Sequence, residues 1–201
     1  MSKDYFSNKA KHYEKNSKRV TNVSNIADAI KNKVTFTSDM KLMDFGSGTG
    51  LLLERIAPLV QAITAVDIST SMMTQLEAKK ETLSCELETR ILDLETNSID
   101  QKFDGIISSM TLHHIKNVPS ILKKLFDLLN PGGFIAIADL DSEDGSFHDE
   151  NTGVHHNGFE RTWLAQEAQA AGFEKIVIDT ASELSKPQGN YTIFLLSAYK
   201  A

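Results

Sequence analysis

The stretch Asp44-Phe45-Gly46-Ser47-Gly48-Thr49-Gly50 constrains this chain more than any other. It follows a short apolar run, Leu42-Met43, and precedes an apolar, helix-like one from Leu51 to Ile56, so it reads as strand, glycine turn and helix. Glycines at alternate positions let the backbone turn tightly. They also let a ligand approach where a Cβ would collide, at the positively polarised start of a helix. A nucleotide-like ligand is therefore expected over Gly46 to Gly50. The dinucleotide fingerprint G-x-G-x-x-G fails at Leu51, which stands where its last glycine would be, and this argues against a bound pyrophosphate.

A second apolar run, Ile63 to Val66, ends in Asp67. An acid there either caps the following helix or accepts hydrogen bonds from both hydroxyls of a ribose. With the glycine turn one strand earlier, the spacing favours the ribose.

With both motifs in place, the chain resembles the class I S-adenosylmethionine-dependent methyltransferases, with D/E-x-G-x-G-x-G after the first strand and an acid after the second. Leu92-Asp93-Leu94 resembles the family's third-strand segment, and Phe103-Asp104-Gly105-Ile106-Ile107-Ser108-Ser109 its fourth strand. Leu129-Asn130-Pro131-Gly132-Gly133 resembles its L-x-P-G-G turn into a fifth strand. The order and spacing match from Met40 to about Ile137. The L-H-H-I form at Leu112 to Ile115 is most similar to small-molecule methyltransferases of the ubiquinone/menaquinone type.

The chain has 201 residues, enough for one α/β domain with a sizeable core and a short N-terminal appendage. A formal charge of −6 argues against a nucleic-acid partner, because phosphate neutralisation needs a concentrated basic patch. The Lys-rich start (Lys3, Lys9, Lys11, Lys15, Lys18, Arg19) alternates with Asp4, Glu14 and aromatic residues and reads as a solvated helix face. The single cysteine, Cys85, excludes an internal disulfide and fits a reducing compartment. The start lacks the apolar core of a signal peptide, and no run approaches the roughly 18 apolar residues of a membrane span. A cytoplasmic protein without stable membrane insertion is expected; its oligomeric state is left open.

Val20, Val23, Ala27, Ile30 and Val34 recur at helical steps, which predicts a helical cover before the first strand. Strands are expected near 40–45, 62–67, 87–92, 103–108, 133–139, 174–180 and 191–199. Helices are expected near 50–58, 70–83, 118–129 and 159–171, the last closed by Gly172. Alternation of strands and helices implies a parallel sheet with helices on both faces. The short link Pro187-Gln188-Gly189-Asn190 implies a final antiparallel hairpin. The expected fold class is α/β: a Rossmann-like, doubly wound, seven-stranded sheet, mostly parallel with an antiparallel last strand, plus an N-terminal helical cover. The expected division is a lid over 1–38 and a cofactor-binding methyltransferase domain over 39–201. The acidic stretch from Asp139 to Asn157 reads as a surface loop over the carboxyl ends of the strands, where specificity usually resides.

The resemblance implies S-adenosyl-L-methionine as cofactor and a small-molecule acceptor. It places Gly46, Ser47 and Gly48 along the methionine moiety, Asp44 near its amino group and Asp67 on the ribose. Ile68 and Met72 would pack on the adenine, Asp93 would take its exocyclic amine, and Leu94 would lie beside the ring. Met72 also fits a buried stripe with Leu76 and Leu83. Ser109 to Ile115 would face the reactive methyl, with His114 either taking a proton or shaping the pocket. Tyr5-Phe6 and His12-Tyr13 resemble an aromatic lid, with Tyr13 over the cofactor or packed on the first helix.

No metal site is expected, although His148, Asp149, Glu150, His155 and His156 lie close in sequence. An N-P-P-Y/F tetrapeptide is absent after the fourth strand, where Ser108-Ser109-Met110-Thr111 stands, which disfavours amide or exocyclic-base methylation. Two rival readings are a cofactor-binding protein without turnover and an oxidoreductase on a related sheet.

Overall fold

The computed structural model describes residues 4–148 and 153–201. Its sheet has seven strands: β1 (Lys41–Phe45), β2 (Ala62–Asp67), β3 (Glu86–Ile91), β4 (Phe103–Ser109), β5 (Leu129–Leu140), β6 (Glu174–Lys186) and β7 (Gly189–Tyr199). Their order is β3-β2-β1-β4-β5-β7-β6. The pairs among β1 to β5 are parallel, whereas β7 runs antiparallel to both β5 and β6. Among the described residues five α-helices accompany the sheet: α1 (Ser17–Lys33), α2 (Leu53–Ile56), α3 (Thr70–Glu77), α4 (Val118–Leu128) and α5 (Arg161–Ala171).

Strand residues alternate between the two faces, as a pleated sheet requires. Leu42, Ile107, Ala136 and Leu195 join one core with Ile26 and Ile30 of α1, Leu53 and Ile56 of α2, and Met73 and Leu76 of α3. Their neighbours Met43, Ile106, Ile135 and Leu196 join the other core with Ile121, Leu122 and Leu125 of α4 and Leu164 and Ala168 of α5. Helices on both faces make the sheet doubly wound, and the apolar stripe read from Val23 to Val34 is buried in the first core.

The element boundaries depart from the sequence reading where backbone chemistry intervenes. Gly50 adopts φ +87°, so α2 cannot begin there; it starts at Leu53 and ends in a 310 turn, Ala57–Leu59, with Pro58 near its start. The helix expected over 70–83 stops at Glu77, and Lys80–Thr82 forms a separate 310 turn. There the Thr82 hydroxyl bonds the Lys79 carbonyl at 2.7 Å, in competition with a helical ladder. β5 begins at Leu129 because Phe103 pairs Leu129 while Gly105 pairs Phe134, so the Asn130–Gly133 segment forms an irregularity inside the strand. The last hairpin is tighter than its sequence suggests, with Lys186 paired to Gly189 across Pro187-Gln188.

The segment before α1 comprises a 310 turn, Ala10–Lys15, and the residues from Asp4 that lead into it. Among the described residues no helix is long and apolar enough to cross a membrane.

Candidate functional site

The carboxyl ends of the parallel strands bring their terminal acids to one edge of the sheet. Asp44 near the end of β1, Asp67 at the end of β2 and Asp93 just beyond β3 all lie there. The glycine turn folds across that edge: Gly46 and Ser47 donate backbone N–H groups to the Val66 carbonyl at 2.8 and 3.2 Å. Gly46 and Gly48 both adopt positive φ, +72° and +54°. A Cβ on Gly46 would lie 2.1 Å from the Thr111 hydroxyl, whereas one on Gly48 would meet nothing within 4 Å. The turn is therefore packed against the β4 tip at Gly46 and open at Gly48.

Asp67 is fixed at both oxygens. The Gly48 N–H donates to one and the Ser69 N–H to the other, each at 2.8 Å. Burial pushes its carboxyl above the usual range against the pull of the Ser69 and Gly48 amides, and the charge of Asp4 pushes the same way. Two oriented oxygens with lone pairs to spare suit a vicinal diol. Asp44 is buried, and its Oδ2 has no hydrogen-bond partner among the described residues. Burial, with the nearby charge of Asp67, pushes its carboxyl up to about 8. An unpartnered buried carboxyl is costly unless a cation or donor arrives, and an ammonium group meets that need. The Ser109 Oγ is likewise buried without a partner. These orphaned oxygens and the open space at Gly48 fit an adenosyl amino acid.

The remaining expected contacts are distributed unevenly. Ile68 is 50% exposed, and Ile91, paired in register with Asp67, is 56% exposed. Together they form an apolar rim that the sequence reading found only in part. The stripe toward the core runs through Met73 and Leu76, while Met72 is buried outside both core clusters. Leu94 is buried in the core with Val66 and Ile99 and so presents no open face to a ring. Asp93 turns one carboxylate oxygen to the Glu95 N–H at 2.9 Å. Ser47 is buried with its hydroxyl on the Met73 sulfur at 3.4 Å, and its carbonyl accepts the Gly50 N–H at 2.9 Å, so the residue is fixed within the turn.

Beyond β4 the chain enters Met110 at φ +58°, a backbone conformation costly for a side chain of this size. The 310 turn Leu112–His114 follows. His113 is buried, with its Nδ1 2.7 Å from Asp139 at the β5 tip, and its backbone N–H reaches the other Asp139 oxygen at 3.2 Å. Its carbonyl accepts the N–H groups of His155 and His156. Burial disfavours the Asp139 charge, but the His113 contacts hold its carboxyl below the usual range.

His114 lies beside this pair, ring centroids 4.2 Å apart, with its Nδ1 3.2 Å from the Gly153 carbonyl. Burial, with the neighbouring His113, pushes it down to about 4, so it is neutral at neutral pH. His148 adds a third ring 4.9 Å from that of His113. Asp139 is the buried, bonded carboxylate of this edge that the sequence reading did not single out. The signal was present, since it too is a carboxylate near a strand end.

Of the residues that could have formed a metal centre, Asp149 and Glu150 lie outside the described residues. Among the described residues no group of histidines, cysteines and acids is arranged to hold a metal. His155 and His156 serve the loop by backbone bonds, and His156 Nε2 meets the Ile115 carbonyl at 2.9 Å.

The N-terminal segment covers this edge. The Phe6 ring stands edge-on to His114 and to Tyr13, with centroids 6.0 and 6.4 Å apart. Arg19 stacks on Tyr13 at 3.9 Å. Burial pushes the Tyr13 hydroxyl up, and of the two nearby charges Arg19 opposes this and Asp67 adds to it. Tyr13 thus packs against the start of α1, the second of its two alternatives, with the charge of Asp67 nearby.

A glycine turn at a helix start, an acid with two oriented oxygens and a Rossmann-like sheet with an antiparallel seventh strand define a domain for an adenosyl cofactor. A family model described as a methyltransferase domain matches residues 17–190, and the chain belongs to that family. Its fold and motifs are those of the class I S-adenosylmethionine-dependent methyltransferases.

An uncharacterised methyltransferase of Schizosaccharomyces pombe is 30% identical over 139 residues, which cover 61% of this chain and 49% of that protein. A ubiquinone biosynthesis O-methyltransferase of Nitrobacter winogradskyi is 28% identical over 108 residues, covering 54% of this chain and 41% of that protein. The matches thus span half or less of these curated relatives. In fold, the chain is similar to a Haemonchus contortus phosphoethanolamine N-methyltransferase solved with S-adenosyl-L-methionine. The TM-score is 0.73 at 15% identity, covering 100% of this chain and 60% of that one.

Proposed function

We propose that this protein transfers the methyl group of S-adenosylmethionine to a small organic acceptor by direct displacement, in a reducing cytoplasm and without a nucleic-acid partner. The cofactor, when bound, supplies a sulfonium whose methyl is already activated. The protein's part is to hold, orient and exclude water. Gly46, Ser47 and Gly48 offer backbone groups to the amino-acid moiety, and Asp44 receives its ammonium. Asp67 receives the ribose hydroxyls, Ile68 and Asp93 receive the adenine, and the buried Met72 and Leu94 support that seat from below. Ser109 and His114 line the reaction side, with Tyr13 closing over the cofactor. His114 is neutral and so able to accept a proton from an acceptor that loses one, although burial makes it a weak base. Of the lid expected over 1–38, the covering part is 4–15, since the apolar face of α1 is embedded in the core.

The observation that carries this reading is the fixing of Asp67 by the Gly48 and Ser69 amides, which joins the glycine turn and the ribose acid into one seat. Calorimetric titration with S-adenosylhomocysteine tests it. The intact protein is expected to bind and Asp67→Ala to lose most of that affinity, on the order of 100-fold for paired charge-assisted hydrogen bonds. No binding by the folded intact protein would sink the reading. Binding without turnover of any phenol, amine or carboxylate acceptor would leave a cofactor-binding protein.

A further inference from the structure

The segment over the site is fastened at its far end by one acidic side chain. Asp4 Oδ1 accepts from the Ser69 hydroxyl at 2.9 Å and the Phe6 N–H at 3.0 Å. Its Oδ2 accepts from the Ser71 N–H at 3.1 Å and the Ser71 hydroxyl at 2.8 Å. Burial alone would raise its carboxyl, but these bonds prevail and hold it below the usual range.

The carboxylate thus sits at the positive end of α3, where a helix favours an anion. Ser69 bonds Asp4 through its hydroxyl and Asp67 through its N–H, so the fastening shares a residue with the ribose acid. Nearer α1 the segment is held differently. Glu14 pairs with Lys79, which also pairs with Glu54 at 2.6 Å and donates to the Thr49 carbonyl of the glycine turn at 2.9 Å. The Arg19 guanidinium stacks on Tyr13 and donates to its carbonyl at 2.6 Å. Between the 310 turn and α1 stands Asn16, extended at φ −81° and ψ 102°. A cleft of about 350 Å³, lined by Ala10, Glu14, Thr49, Gln75 and Lys79, runs beneath the segment, so its underside is not packed throughout.

We propose that residues 4–15 form a strap pivoting at Asn16, that Asp4 latches it to α3, and that unlatching is the step that admits and releases the adenosyl cofactor. This rests on the cofactor reading above. The strap opens from Asp4 because that end is held by hydrogen bonds to a partly solvated carboxylate, while the Tyr13 end is stacked on a helix anchored in the core. With the strap down, Phe6 stands against His114, so closure over the cofactor also completes a wall of the reaction side.

Stopped-flow displacement of S-adenosylhomocysteine, together with amide hydrogen exchange over residues 5–15, tests the proposal. Asp4→Ala is expected to speed dissociation about tenfold, the scale of a lost helix cap. It should also remove exchange protection from the strap while α1 and the sheet keep theirs. Ser71→Ala, which leaves the strap's own sequence intact, is expected to shift both readouts the same way by less. Unchanged dissociation with a loosened strap overturns the gating, and an unchanged strap in both variants overturns the latch. If the intact protein binds no S-adenosylhomocysteine, the cofactor reading and the gating fall together, and the exchange data decide the latch alone.

Discussion

At the scale of single residues, Asp44 couples the site's chemistry to its pH response. Its folded-state carboxyl titrates at about 8, above the 3.8 of an unperturbed aspartate. The fold therefore keeps a proton that the unfolded chain has already released, and stability falls as pH rises between those values. Asp44→Asn is expected to flatten that decline in denaturant titrations of the ligand-free protein. It is also expected to weaken cofactor binding by roughly tenfold or more, the scale of a lost charge-assisted hydrogen bond. A decline as steep in the variant as in the parent would remove Asp44 as its source. The placement of Asp44, Gly46 and Asp67 at the strand ends was legible in the sequence because each belongs to a local motif of fixed spacing. Asp4 was not: its partners at the start of α3 lie 65 and 67 residues away, and nothing near it in sequence announces them.

Among elements, the β5 tip organises the reaction side. Asp139 holds the ring and N–H of His113 and the N–H of Leu140, and the His113 carbonyl in turn receives the loop that returns toward α5. Asp139→Ala leaves a buried imidazole and two amides unpaired, which should cost about 3–5 kcal/mol. Urea unfolding should show a lowered midpoint with an unchanged slope, whereas a loss below 1 kcal/mol would mean that the loop is held elsewhere. The sequence reading gave this region as an exposed specificity loop from Asp139 onward. It failed at the start because Asp139 and Leu140 continue β5 and are fully buried, and Phe147 is buried farther along. Polar composition locates a loop but does not report which of its members the strand tip captures. Helix ends erred for a related reason, since left-handed Gly50 and the Thr82 side chain act through backbone geometry that apolar periodicity does not contain.

On the scale of the whole molecule, the parallel sheet, its antiparallel final hairpin and both packed faces were recoverable because strand and helix patterns alternate and parallel connections have few allowed topologies. Close packing across the sheet makes Gly105 sensitive: a Cβ there would lie 2.4 Å from the Phe134 ring. Gly105→Val is expected to destabilise by about 1–3 kcal/mol through overpacking, read as a lowered thermal midpoint. Paired Gly105→Val and Phe134→Leu should recover part of the loss, and no recovery would place the strain elsewhere.

The position of β7 between β5 and β6 bears on how the molecule is made. During synthesis β6 leaves the ribosome before the strand that will join it to the rest of the sheet, so it has no neighbour to zip onto. The nascent chain must keep that long edge unpaired until β7 arrives, and the hairpin then docks as a unit beside β5. Completion of the sheet is thereby deferred to a late, non-local step, the interval in which such a chain is most exposed to aggregation.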